Sequence, residues 1–149
     1  MMFGLEREDV SARTADLLQL MDLTQAAGTP VVDYSAGMTK KIALACALVH
    51  APKLLVLDEP FESVDPVSAA NIEDVLRSYT ASGGTVIVSS HSMDLVQRMC
   101  DHVSVISSGR VVAAGSVDDV RGGQSLQERF IELVGGRHRS EGPQWLRQS

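Results

Sequence analysis

Two short apolar runs separated by one helix-length segment constrain this chain more than any other feature. The first, Leu54-Leu55-Val56-Leu57, runs straight into two carboxylates and a proline, Asp58-Glu59-Pro60. The second, Thr85-Val86-Ile87-Val88, is β-branched throughout and suits a pleated, packed strand. Between them Asp65-Pro66 reads as a helix start, because Asp can cap exposed N–H groups and Pro at the first helical position sacrifices no hydrogen bond. Ile72, Val75, Leu76 and Tyr79 then recur at helical spacing, and Gly83-Gly84 ends the element. Strand, helix, strand at this spacing is a βαβ crossover. Both strands are therefore expected to lie parallel, to be buried on both faces, and to deliver their carboxyl ends to one edge of a sheet. Asp58, Glu59 and His91 would share that rim.

The rest of the chain reads as follows. Val10, Thr14, Leu17 and Met21 form one stripe of an amphipathic helix that stops before Gly28-Thr29-Pro30. Residues 39–49 are apolar nearly all round, which predicts a helix buried on several sides, closed by Pro52. After His91, the residues Met93, Val96 and Cys100 mark a short helix, and residues 103–106 and 111–114 flank Ser108-Gly109 as a hairpin. Ser116 with Asp119 three residues on is a capping-box pattern. Leu126, Phe130 and Leu133 mark a last amphipathic helix before Gly135-Gly136. Residues 137–149 read as a polar, weakly ordered tail with one tryptophan, Trp145.

Composition excludes several classes. A formal net charge of -6 argues against a nucleic-acid partner, whose phosphates draw on clustered Lys and Arg; Arg137-His138-Arg139 is the one basic cluster. Cys46 and Cys100 lack C-x-x-C spacing and sit in apolar helical patterns, so both are expected to be buried free thiols. The longest apolar run, residues 42–49, falls far short of the roughly 18 residues of a membrane span. The first residues lack a basic region followed by a long apolar core, so no signal peptide is expected. A cytoplasmic protein, soluble or peripheral, follows as the expectation.

Four landmarks occur in order: Tyr34-Ser35-Ala36-Gly37-Met38, the strand ending in Asp58-Glu59, Ser63-Val64-Asp65-Pro66, and Ser89-Ser90-His91. Together they resemble the signature motif, Walker B strand, D-loop and switch histidine of an ABC-type ATPase. The resemblance spans residues 4–134. It implies an α/β fold: a partial ABC-type nucleotide-binding domain over residues 1–136, with a parallel-sheet core. Residues 1–50 would supply a helical-subdomain piece and the signature helix, and residues 51–136 the remaining core with its hairpin and helix.

By that resemblance Asp58 holds Mg²⁺ through water, Glu59 polarises the water that attacks ATP, and His91 contacts the γ-phosphate. Ser35 and Gly37 bind the γ-phosphate of ATP held by a second ATP-binding subunit in a head-to-tail dimer, at a helix N-terminus suited to anions. Asp65, an N-cap in its own right, contacts the partner's phosphate loop. The implied activity is ATP hydrolysis driving a solute through a separate transmembrane permease subunit, at the cytoplasmic face of the cell membrane. The chain departs from the common pattern at Tyr34 (usually Leu), Ala36 (a second Gly), Met38 (often Gln) and Ser63-Val64 (often small-Leu). A signature beginning with Tyr and ending with Met looks most like the exporter-type subunits.

The same chain contains no G-x-x-x-x-G-K-[ST] loop; its lysines, Lys40, Lys41 and Lys53, follow Thr39, Lys40 and Pro52. That loop supplies the N–H cradle and lysine that hold the β- and γ-phosphates. The sequence therefore reads as the rear part of such a domain, and the chain alone is expected neither to bind nor to hydrolyse ATP. Two alternatives stay open. One is the C-terminal lobe of a chromosome-maintenance or DNA-repair ATPase, although such a lobe should follow a long heptad coiled coil and only a short helical stretch precedes Tyr34. The other is a non-catalytic regulatory module of the same fold, favoured by the missing loop and opposed by the presence of Glu59 and His91.

Overall fold

The computed structural model describes residues 6–135; the Arg137-His138-Arg139 cluster, Trp145 and the rest of the expected tail lie outside the described residues. The chain divides into two compact units, one up to His91 and one from Ser92 onward.

The first unit opens with α1 (Arg7–Leu20), two 3₁₀ turns (Thr24–Ala26 and Val31–Asp33) and α2 (Ala36–Leu48). It continues with β1 (Leu54–Asp58), α3 (Pro66–Ala81) and β2 (Thr85–Ser89). β1 and β2 pair in parallel, with Leu54 opposite Thr85 and Asp58 opposite Ser89. The expected crossover is present, and the carboxyl ends of both strands meet at one edge. Asp65 caps α3, its Oδ1 accepting from the N–H groups of Val67 (3.1 Å) and Ser68 (3.0 Å), with Pro66 in the first helical position. Ile72, Val75 and Leu76 face inward and are buried. Each contributes roughly 1.5–3 kcal/mol through the apolar surface it removes from water. Tyr79 Oη donates to the Pro52 carbonyl at 2.9 Å, tying the end of α3 to the start of β1. The same ring fills the space where a Gly84 Cβ would stand, so the turn into β2 needs glycine there.

Four expectations about burial change. β1 and β2 are covered on one face, not two: Leu55 is buried, whereas Leu54, Val56 and Ile87 are 50, 69 and 55% exposed. The helix expected over residues 39–49 begins at Ala36 and buries one stripe, Gly37, Lys41, Leu44 and Ala45. Cys46 stands off that stripe and is exposed, and Cys100 is half-buried, so neither is the buried thiol expected. The expected α1 stripe is covered only toward its end: Val10 and Thr14 are exposed, Leu17 is half-buried, and Met21, just past the helix, is fully buried together with Leu23. Arg13 adds a bond from Nη1 to the Val49 carbonyl (3.0 Å), placing a cation at the C-terminal end of α2, where the helix dipole favours it.

The second unit comprises α4 (Met93–Met99), β3 (His102–Ser107), β4 (Arg110–Ser116), α5 (Val117–Arg121) and α6 (Leu126–Leu133). β3 and β4 form the expected antiparallel hairpin about Ser108-Gly109. Val96, Val105, Val120 and Leu126 make its core, with Met93, Phe130 and Leu133 packed around them. Ser116 caps α5 through the Asp119 N–H at 3.1 Å. The fully reciprocal capping box belongs to Ser125 and Glu128 at the start of α6. No helix of the described residues is long and apolar enough to cross a membrane.

Candidate functional site

The site is built where β1 gives way to the following turn. Asp58 is the last residue of β1 and lies opposite Ser89; the Ser89 hydroxyl donates to Asp58 Oδ1. Glu59 then leaves the strand with φ +43°, a left-handed conformation that costs a non-glycine residue roughly 1–2 kcal/mol. Strain of that size persists only where neighbours over-determine the backbone. Here the Glu59 N–H is shared between the Ser89 carbonyl (3.2 Å) and the Ser89 hydroxyl oxygen (3.0 Å). The Glu59 carbonyl accepts from Lys40 Nζ of α2 at 2.9 Å.

The turn held in this way brings the Glu59 carboxylate to His91, two residues beyond β2, with Oε1 at 3.0 Å from Nδ1. The glutamate is the more sheltered partner, its side chain 30% exposed against 75% for the imidazole. The hydrogen bond to Glu59, with the carboxylate's charge and a smaller contribution from Glu62, raises the His91 pKa above its ordinary value. The contact thus favours the imidazolium form of His91.

A second group forms at the N-terminus of α2. Ser35 caps that helix, its Oγ accepting from the Met38 N–H at 3.2 Å. Gly37 is buried against the first turn of α3: a Cβ there would lie 2.7 Å from Ser68 Oγ and 2.9 Å from Asp65 Oδ2. The Asp65 carboxyl is held below its usual range, first by the Ser68 N–H and hydroxyl and then by the Val67 N–H. Gly37 has therefore a packing reason to be glycine besides any ligand.

Asp58, Glu59 and His91 are brought to one rim; Ser35, Gly37 and Asp65 gather at the α2 and α3 N-termini; and α2 connects the two groups through Lys40. Ser89 and Lys40 were not foreseen as members. The strand register opposite Asp58 could have pointed to Ser89. Nothing local in the sequence points to Lys40, whose partner lies 19 residues away on another element. Among the described residues no cluster of three or more His, Cys, Asp or Glu could cage a metal. A site for Mg²⁺ needs none, because that ion keeps several waters and takes one or two carboxylates plus substrate phosphates. Asp58, exposed and with one oxygen engaged by Ser89, fits such a role.

Residues 4–97 match the family model described as "AAA domain, putative AbiEii toxin, Type IV TA system". The linearmycin resistance ATP-binding protein LnrL of Bacillus subtilis is 34% identical over 119 residues, covering 80% of this chain and 38% of that protein. The Nod factor export ATP-binding protein I of Sinorhizobium fredii is 36% identical over 141 residues, covering 92% and 40%. Among solved structures, an ATP-binding subunit of an ABC transporter superposes with a TM-score of 0.79 at 30% identity, over 87% of this chain and 56% of that one. The chain belongs to the AAA domain family and matches part of an ABC-type ATP-binding subunit. CbiO1 of Clostridium perfringens, part of the ABC transporter complex cbiONQ, superposes with a TM-score of 0.69 at 30% identity, over 87% and 52%. This ABC-type chain spans about two fifths of the length of the first two relatives and just over half of the two solved chains. The parallel β1–β2 pair and its crossover helix are the ABC-type α/β core that the landmarks implied.

Proposed function

We propose that this chain carries the hydrolytic rim and the signature helix of an ABC-type ATPase, in a subunit that splits ATP to ADP and phosphate and so drives a solute through a separate membrane permease. The observation that carries the reading is the Glu59–His91 contact of 3.0 Å at the carboxyl edge of the parallel strands. ATP hydrolysis joins a water oxygen to the γ-phosphorus and breaks its bond to the β–γ bridging oxygen, so catalysis consists of placing the water and stabilising charge. Glu59 is the base. A carboxylate accepts at two oxygens, so one can hold His91 while the other polarises the attacking water. His91, once protonated, offers a donor toward the γ-phosphate. Asp58, oriented by the Ser89 hydroxyl, is the residue that would hold Mg²⁺ through water; the ion neutralises phosphate charge when bound.

Ser35 and the α2 N-terminus are suited to a phosphate presented by a second ATP-binding subunit, because unpaired N–H groups and the helix dipole favour an anion there. Asp65 would border the same interface. The exporter-like signature and the relatives named for export and resistance support an exporter, acting at the cytoplasmic face of the cell membrane. The 149-residue chain by itself, without a phosphate loop, would neither bind ATP tightly nor turn it over.

The dimer is the part to test first. In a domain joining this chain to a phosphate loop, Ser35→Arg places bulk on the partner's phosphate and is expected to abolish dimers formed with ATP and Mg²⁺ on size-exclusion chromatography. Dimers that form as in the unmutated domain would remove this surface from the interface.

A further inference from the structure

We propose that Lys40 is a positioning residue for Glu59: from α2, its ammonium clamps the carbonyl of the turn that carries the water-polarising carboxylate. The inference rests on the reading of Glu59 given above. Glu59 occupies a left-handed conformation that its side chain disfavours, and the turn therefore depends on outside bonds. On its amide side both acceptors belong to one residue, Ser89. On its carbonyl side the bond comes from Lys40 Nζ at 2.9 Å, in a partly buried place. A bond from a charged donor is roughly twice as strong as a neutral one, and it loses less to water where the solvent is partly excluded.

The setting of Lys40 supports the assignment. With Ala43, Leu44 and Ala47 of α2 it lines a groove whose other wall includes Val56 and Asp58. Its neighbours on this wall are aliphatic, so a lysine here needs a destination for its ammonium, and the Glu59 carbonyl supplies one. The bond also joins the helix that begins at Ser35 to the end of β1. Releasing it would let Glu59 relax toward right-handed backbone angles and carry its carboxylate away from the position that meets His91.

The test combines two readouts. ATP hydrolysis is measured for K40M, K40Q and K40R in the domain that includes a phosphate loop, with E59Q in the same assay. Amide hydrogen exchange at Glu59 is measured on the 149-residue chain. The expectation for K40M is a fall in kcat of about 10–10²-fold, the scale on which a small misplacement of a reacting group acts, with KM for ATP unchanged and faster exchange at the Glu59 N–H. K40R, which keeps a charged donor, should recover most of both, and K40Q should fall between. Exchange at Glu59 that is unchanged in both K40M and K40Q overturns the proposal, as does a K40M rate equal to that of the unmutated domain. E59Q separates the two levels: if it hydrolyses ATP normally, the role given to Glu59 fails by itself, and the exchange measurement still decides whether Lys40 holds the turn.

Discussion

Glu59 and Gly37 show how single residues here answer to two demands. Glu59 leaves β1 in a conformation glycine would adopt more readily, yet its carboxylate meets His91 and is the base in the proposed reaction, and bonds from Ser89 and Lys40 hold the backbone there. Gly37 must begin a helix and also let α2 approach Ser68 and Asp65. Gly37→Ala gains at most about 1 kcal/mol of helix propensity, whereas overpacking at such a contact costs about 1–3 kcal/mol. The steric term wins, and urea unfolding should show a net loss of stability that Ser68→Gly partly restores. His91 gives a pH prediction. Its folded pKa is raised by Glu59, so the pair's stabilisation is fully present below the ordinary histidine value near 6.5 and disappears as pH rises through the folded value. Thermal melts of the unmutated chain and His91→Ala should therefore differ more at about pH 6 than at about pH 9; an equal gap at both would mean the contact carries no ionic component.

Elements were legible in proportion to how local their signals are. The crossover from β1 through α3 to β2 followed from apolar runs, an Asp-Pro start and a Gly-Gly stop, all short-range features, and the structure has each in place. The hairpin about Ser108-Gly109 and the helix at Leu126 were legible for the same reason. Burial was less so, because it depends on what packs from elsewhere. The α1 stripe is covered only at its C-terminal end, and α2, expected to be buried on several sides, buries one. The Glu59–His91 contact could be anticipated as a shared edge, but its bond lengths and the left-handed turn could not. Lys40 was invisible because a long flexible side chain does not declare which carbonyl it will reach. At this scale Asp65 is the test. Its pKa is lowered by the Ser68 and Val67 groups it caps, so its stabilisation is present above the ordinary value near 3.8 and is lost as pH falls through the folded value. Asp65→Ala should lower the melting temperature near neutral pH, with the difference shrinking in acid. A difference that persists undiminished below about pH 3 would assign the effect to packing instead of the charged cap.

For the molecule as a whole, the two units divide the work unequally. The unit up to His91 contains every residue of the candidate site, while the described residues from Ser92 onward form a hairpin and three helices around their own small core. One face of the β1–β2 pair leaves Leu54, Val56 and Ile87 open to solvent, a surface of the kind that marks a packing or binding face. The fold and the family resemblance were legible from four motifs taken together in their order and spacing. The proposed role of Glu59 in polarising the attacking water is measured most directly by steady-state ATP hydrolysis in the domain that joins this chain to a phosphate loop, with and without Glu59→Gln. The substitution is expected to lower kcat by about 10²–10⁴-fold, as loss of a general base does, while ATP binding is kept and ATP-driven dimers persist or strengthen. Turnover at the unmutated rate with Gln at that position would remove Glu59 from the role of base.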